Sequence, residues 1–208
     1  MSASFSKVES MRHALAGWFL IAAVLPLSAA TKPSDLTVVL DFKGPHSQKS
    51  VDAMKQETQD ILKSAGLRLD FKSREEAASA SAADLVFVRF NGDCELPPAP
   101  LYDELGEIGP LASTYETDGQ IQPFSEVSCD RVGAFVRSGL HGGDFKKGDL
   151  LIGKALGRVV AHELVHMLTK QAKHSREGVF EPALTVQQLI AGELPLSPGD
   201  LERLRSRP

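Results

Sequence analysis

Three of the six histidines in this chain fall within thirteen residues, as His162-Glu163-Leu164-Val165-His166 followed by His174. On an α-helix a spacing of four residues turns His166 about 40° from His162 and moves it one turn along, so both imidazoles leave the same face. Two ring nitrogens placed in this way can hold one divalent cation. Glu163 sits beside that face, where a carboxylate can take a proton from water activated by the metal. Leu156, Val159, Val160, Leu164, Val165, Met167 and Leu168 give the same helix apolar surface in most other directions, which predicts that it is buried. Histidines and a glutamate in such a place are costly unless a partner satisfies them, and a cation does so.

A catalytic zinc ion normally has three protein ligands and one open position, so a third donor is required. If the helix ran on to His174, that ring would lie about 12 Å further along the axis than His166, too far to share an ion. The helix must therefore end and the chain turn back within Thr169-Lys170-Gln171-Ala172-Lys173, a polar run that offers no glycine for the reversal. His174 is the favoured third ligand, with Glu177 and Glu181 as carboxylate alternatives. His141, beside Gly142-Gly143, and His46, at a helix start, read as surface residues.

The elements that must position these groups follow from periodicity. Asp35–Phe42 reads as a strand, Ser47–Ala65 as a helix with one apolar stripe (Val51, Met54, Ile61, Leu62, Ala65) stopped by Gly66, and Leu67–Phe71 and Asp84–Phe90 as two further strands. Strand, helix, strand implies a parallel crossover. Residues 91–110 carry four prolines and read as a loop. Asp118-Gly119 joins Leu111–Tyr115 to Ile121–Val127 as a hairpin, and Pro123 places the second arm at the sheet edge. The glycine-rich stretch Gly139–Gly148 leads to Asp149 as N-cap of a long helix, Leu150–Lys170. Weaker helical stretches follow at Ala183–Ala191 and Pro198–Arg205. The fold class is α/β: a small mixed twisted sheet with an antiparallel edge strand, two main helices and a short, mostly helical C-terminal part.

The chain has 208 residues, 42% of them hydrophobic and 24% charged, an ordinary globular composition that excludes a collagen or coiled-coil rod. A net charge of -4 offers no long-range attraction for a phosphate backbone, so no nucleic-acid partner is expected. Lys7, Arg12 and His13 precede the uncharged run Ala14–Ala30, which ends in Ser28-Ala29-Ala30. That is the grammar of a signal peptide over residues 1–30, with an uncleaved anchor as the competing reading and no stable membrane insertion once the leader is removed. Residues 31–208 then form a single domain, secreted or periplasmic. In that compartment the only two cysteines, Cys94 and Cys129, are expected to form a disulfide, the alternative being two free thiols.

The segment AHELVHMLTKQAKHSREGVF resembles the active-site region of the metzincin clan of zinc endopeptidases, especially small matrixin-like secreted bacterial members in which HExxH is followed by HSxxG and then a methionine. The order strand, helix, two strands, edge hairpin and zinc helix resembles the clan's upper subdomain, which would span 31–173, with 174–208 as the small C-terminal subdomain of a zincin-like fold. The resemblance implies a Zn2+ cofactor held by His162, His166 and His174, Glu163 as catalytic base, residues 175–180 as a turn beneath the metal, and a peptide or protein as substrate. An extended peptide would pair with the edge near Ile121–Val127. Cys94 as a thiolate latch on the metal is a weaker possibility than its pairing with Cys129. The chain departs from the clan pattern at four points: Thr169 replaces the reversal glycine, the interval to the third histidine is two residues longer, Phe180 replaces the methionine, and no tyrosine follows Tyr115 to steady an oxyanion. The expected function is a secreted zinc-dependent endopeptidase. The alternative is a catalytically weak or inactive zinc-stabilised binding module of the cell envelope.

Overall fold

Alternating burial along short apolar runs builds the sheet. Leu36, Val38 and Leu40 of β1 (Ser34–Phe42), Leu67 and Leu69 of β2 (Leu67–Ser73), and Val86, Val88 and Phe90 of β3 (Leu85–Asn91) all turn into one core. The computed structural model describes residues 34–78, 85–97 and 109–207, which belong to one compact unit. The leader expected over residues 1–30 and the middle of the proline-rich loop lie outside the described residues.

β1 pairs in parallel with β2 on one side and β3 on the other. β3 pairs in parallel with β5 (Gln120–Ser128), and β4 (Ala112–Thr117) closes the sheet antiparallel to β5, giving the order β2-β1-β3-β5-β4. The mixed, mostly parallel sheet with an antiparallel edge strand is the one the sequence implies. The edge itself is a correction: β4 occupies it, and the arm that carries Pro123 lies inside. Pro123 is tolerated there because the β3 ladder begins only at Phe124, and on the β4 side the register shifts between Thr114 and Glu116.

Two helices lie at the centre of the packing. α1 (Gln48–Lys63) starts where the Ser47 hydroxyl accepts from the Ser50 N–H, and it buries Val51, Met54, Ile61 and Leu62. α4 (Gly148–Thr169) is the long helix expected. It approaches α1 so closely that a Cβ on Gly153 would lie 2.4 Å from the Ser50 carbonyl oxygen, and one on Gly157 2.8 Å from that of Met54. The Thr58 hydroxyl, fully buried between the two helices, lies 2.8 Å from the Met54 carbonyl and 3.1 Å from that of Gly157. Asp149 does not cap α4. Lys147 stands at the cap position without a side-chain bond, and Asp149 sits in the first turn, where its charge favours the helix dipole.

Between the hairpin and α4 the chain forms α3 (Cys129–Ser138), a helix the periodicity did not announce, and then a 3-10 turn over Gly142–Lys147. α3 buries Cys129, Val132 and Val136, but it is ten residues long with Gly133 in the middle, which keeps its pattern weak. The Cys94–Cys129 disulfide pins the loop after β3 to its first residue, and both cysteines are buried. α2 (Arg74–Ala77) is an exposed turn closed by a Ser73/Glu76 capping box. α5 (Val186–Ile190) and α6 (Pro198–Arg205) follow in the tail, α5 shorter than its periodic stretch because Thr185 caps it. Arg158 of α4, wholly buried, ties the tail down: it pairs with Glu57 of α1 (2.6 Å) and donates to the carbonyls of Gln188, Ala191 (2.8 Å) and Gly192 (2.6 Å).

Candidate metal centre

The last two turns of α4 carry His162, Glu163 and His166. The helix then ends at Lys170, whose φ of 54° is left-handed. This lysine performs the reversal for which Thr169 lacks the glycine, and its Nζ donates to the Ile121 carbonyl 3.3 Å away. The chain comes back immediately, so that His174 faces the helix it has just left.

Two of the three rings have assigned roles for both nitrogens. His162 Nδ1 lies 3.0 Å from the Val179 carbonyl oxygen and His166 Nδ1 lies 2.6 Å from that of Gln171. A carbonyl only accepts, so both Nδ1 atoms carry the proton and both Nε2 atoms present a lone pair. His174 Nε2 stands 3.1 Å from each of those Nε2 atoms. As a donor His174 Nε2 can serve only one of those lone pairs, and as an acceptor it completes a set of three that repel unless a positive centre lies between them. Three nitrogens on a tetrahedral ion with bonds of about 2.1 Å are about 3.4 Å apart, close to the two separations from His174, and all three atoms lie within 4.8 Å of one another. The three histidines could therefore hold a metal ion, and the donor set of neutral imidazoles fits one.

Burial keeps the rings neutral. Desolvation pushes His162 down to about 4, repulsion from His166 and His174 adding to it and the Val179 carbonyl and Asp200 carboxylate opposing it. Desolvation also lowers His166, against its bond to Gln171, and lowers His174. Phe180, fully buried, lies beneath all three, its ring centre 5.1, 4.6 and 5.2 Å from those of His162, His166 and His174. It occupies the floor for which the resemblance expects a methionine.

Glu163 is buried beside the cluster, and loss of water pushes its carboxyl up to about 7, against hydrogen bonds from Thr114 and Ser125. Its Oε2 accepts from Thr114 Oγ1 at 2.6 Å, and Ser125 Oγ, whose one proton is shared with the Ser113 carbonyl 3.1 Å away, lies 3.3 Å from it. The strands β4 and β5 thus hold the carboxylate through two hydroxyls that sequence reasoning missed. For Ser125 a signal existed: it is a polar residue at an inward position of β5 between Ile121 and Val127. Glu163 and the three histidines line one cavity of about 520 Å³. Ser113 and Thr114 of the edge strand and Pro182–Leu184 also line it, and Leu111, Phe135 and Val159 give it an apolar part.

Neither alternative third ligand joins the cluster. Glu177 is exposed, and Glu181 accepts from Gln188 Nε2 at 3.2 Å. Cys94, closed in its disulfide, has no thiolate to offer. His141 is exposed at the start of the 3-10 turn, and His46 is exposed and stacks on Phe42 with ring centres 4.2 Å apart. Arg203 is half-buried and pairs with Asp200.

No protein-family model and no curated protein matches this chain. Among the described residues no helix is long and apolar enough to cross a membrane, and the disulfide is compatible with export.

Proposed function

We propose that this protein is an exported zinc endopeptidase with a metzincin-like active site. The observation that carries the reading is the convergence of His174 on the His162/His166 pair with Glu163 in the same cavity. His162, His166 and His174 would hold the zinc ion, with a fourth position left for water or substrate. When bound, zinc supplies Lewis acidity toward a carbonyl and toward water.

The chain's own residues supply the rest. Glu163, kept from bulk water and raised toward neutrality, can accept a proton and return it to a leaving amine near pH 7. Thr114 Oγ1, 2.6 Å from Oε2, fixes the orientation of the carboxylate. The side of β4 that pairs with no strand among the described residues borders the cavity through Ser113, Thr114 and Glu116, so an extended peptide would pair there, one strand further out than the sequence suggested.

Metal analysis of the purified protein should give one zinc ion per chain. Cleavage of a peptide library should fall by about 10²–10⁴ in Glu163→Ala, with the metal retained. No metal bound under chelator-free conditions would defeat the proposal. A zinc-stabilised binding module is the second reading. It is favoured by Tyr115, whose hydroxyl donates to Glu126 at 3.1 Å instead of lining the cavity. Bound zinc with no turnover on any peptide would select it.

A further inference from the structure

The third ligand hangs on a loop, and the loop is braced by the tail. Ser175, the residue after His174, donates from Oγ to Asp200 Oδ1 at 2.6 Å and accepts from Arg203 Nη2 at 3.0 Å. Arg203 also donates to the same Asp200 oxygen. The other oxygen of Asp200 accepts from Ser197 Oγ at 2.6 Å, and the Asp200 N–H donates back to that hydroxyl. Asp200 is wholly buried on α6, so this carboxylate has no solvent to turn to.

Further contacts run the same way. The Ser175 N–H donates to the Phe180 carbonyl at 3.0 Å, closing the loop, and the Val179 N–H donates to the Pro195 carbonyl at 2.9 Å. Gly178, at φ 82°, passes so close to the tail that a Cβ there would lie 2.5 Å from the Pro195 oxygen. The carbonyl that orients His162 belongs to Val179 of this loop. Two of the three imidazoles therefore depend on a segment that the tail, Pro195 together with α6, holds in place.

We infer that Asp200 is a positioning residue of the metal centre: through Ser175 its buried carboxylate fixes His174, and with it the affinity of the three histidines for their ion. The inference deepens the metal-site reading above and rests on it. Asp200 touches no ligand. Besides the charge it presents to His162, its effect passes through one hydroxyl, which makes that path separable from the general stability of the tail. Ser175→Ala removes that link and leaves Asp200 with Ser197 and Arg203. Ser197→Ala removes the cap of α6 and the donor to the other Asp200 oxygen, and leaves the link through Oδ1 to Ser175.

The test is zinc affinity by competition with a chromogenic chelator, together with the visible spectrum of the cobalt(II) form and circular dichroism to confirm folding. Ser175→Ala and Asp200→Asn should each weaken zinc binding about 10–100-fold, the range for groups that orient a ligand, and should shift the cobalt bands. Ser197→Ala should lower the melting temperature while zinc affinity stays within about twofold of wild type. Folded Ser175→Ala with wild-type affinity and spectrum would overturn the inference even if Asp200→Asn fails to fold. So would an equal loss in Ser197→Ala, which would make the effect one of tail stability. A wild-type chain that binds no ion would instead overturn the metal-site reading, and this inference with it.

Discussion

The candidate metal site is held in two ways. His162 and His166 are fixed by a helix packed against α1 so tightly that two glycines are needed at the contact, with apolar side chains over most of its remaining surface. His174 is fixed by a loop of hydrogen bonds among Ser175, Asp200, Arg203 and the backbone around Phe180. Close packing acts in every direction and tolerates few volume changes. A polar network acts through a few named atoms, and its strength depends on the charge state of one carboxylate. The ligands of the first region should therefore respond to changes in bulk, and those of the second to changes in proton or hydroxyl.

The largest effect should come where the two regions meet. Arg158 leaves α4 one turn before His162 and holds both Glu57 and the carbonyls of Gln188, Ala191 and Gly192. Arg158→Met keeps much of the volume but strips those acceptors of their donor, at a cost of about 3–5 kcal/mol by denaturant unfolding. A cost below about 1 kcal/mol would mean that the tail is held by its apolar contacts alone. Gly153→Ala comes next and probes the packed region. Its Cβ would meet the Ser50 carbonyl at 2.4 Å and Ala53 Cβ at 2.7 Å, backbone and short side chain that cannot swing aside. Unfolding should become easier by about 1–3 kcal/mol, and a variant as stable as wild type would show that α1 and α4 slide freely past each other.

Acid should separate the regions more sharply. Burial alone would raise the Asp200 carboxyl, but bonds from Ser175, Ser197 and Arg203 outweigh it and hold the group below its ordinary 3.8. A carboxylate depressed by folding contributes stability that is present above 3.8 and lost as pH falls through its lower folded value. The stability difference between wild type and Asp200→Asn, from melts of the metal-free proteins, should be flat at neutral pH and shrink only below about 3.8. A difference that is unchanged down to pH 2 would show that the carboxylate is not what binds the tail.

Legibility in the sequence divides along the same line. Helix periodicity is local, so the His162/His166 pair, the carboxylate between them and the buried surface around them could be read from the spacing of a few residues. The strands of the sheet were readable for the same reason. Two features needed knowledge of what lies across space. Pro123 rightly signals that one side of its strand lacks a ladder bond, but a strand can meet that need inside a sheet if one ladder starts late and the other bulges. Asp200 and Arg203 look like any acid and base on a short amphipathic helix. Only the fold shows that the serine they share, 25 residues before Asp200, stands beside His174.

The joint between the regions offers the smallest and most diagnostic change. Lys170 ends α4 at φ 54°, a conformation that costs an L-residue about 1–2 kcal/mol and glycine almost nothing. Lys170→Gly relieves that cost, and it gives up the Nζ bond to Ile121 and some unfolded-state restriction in return. The balance predicts a gain of about 0.5 kcal/mol by denaturant unfolding, with zinc affinity unchanged, since neither the packed helix nor the Ser175 link is touched. A loss of stability would mean that the lysine's reach to β5 matters more than its backbone. A loss of affinity without a loss of stability would mean that the angle of this one reversal, and not the tail, sets where His174 falls.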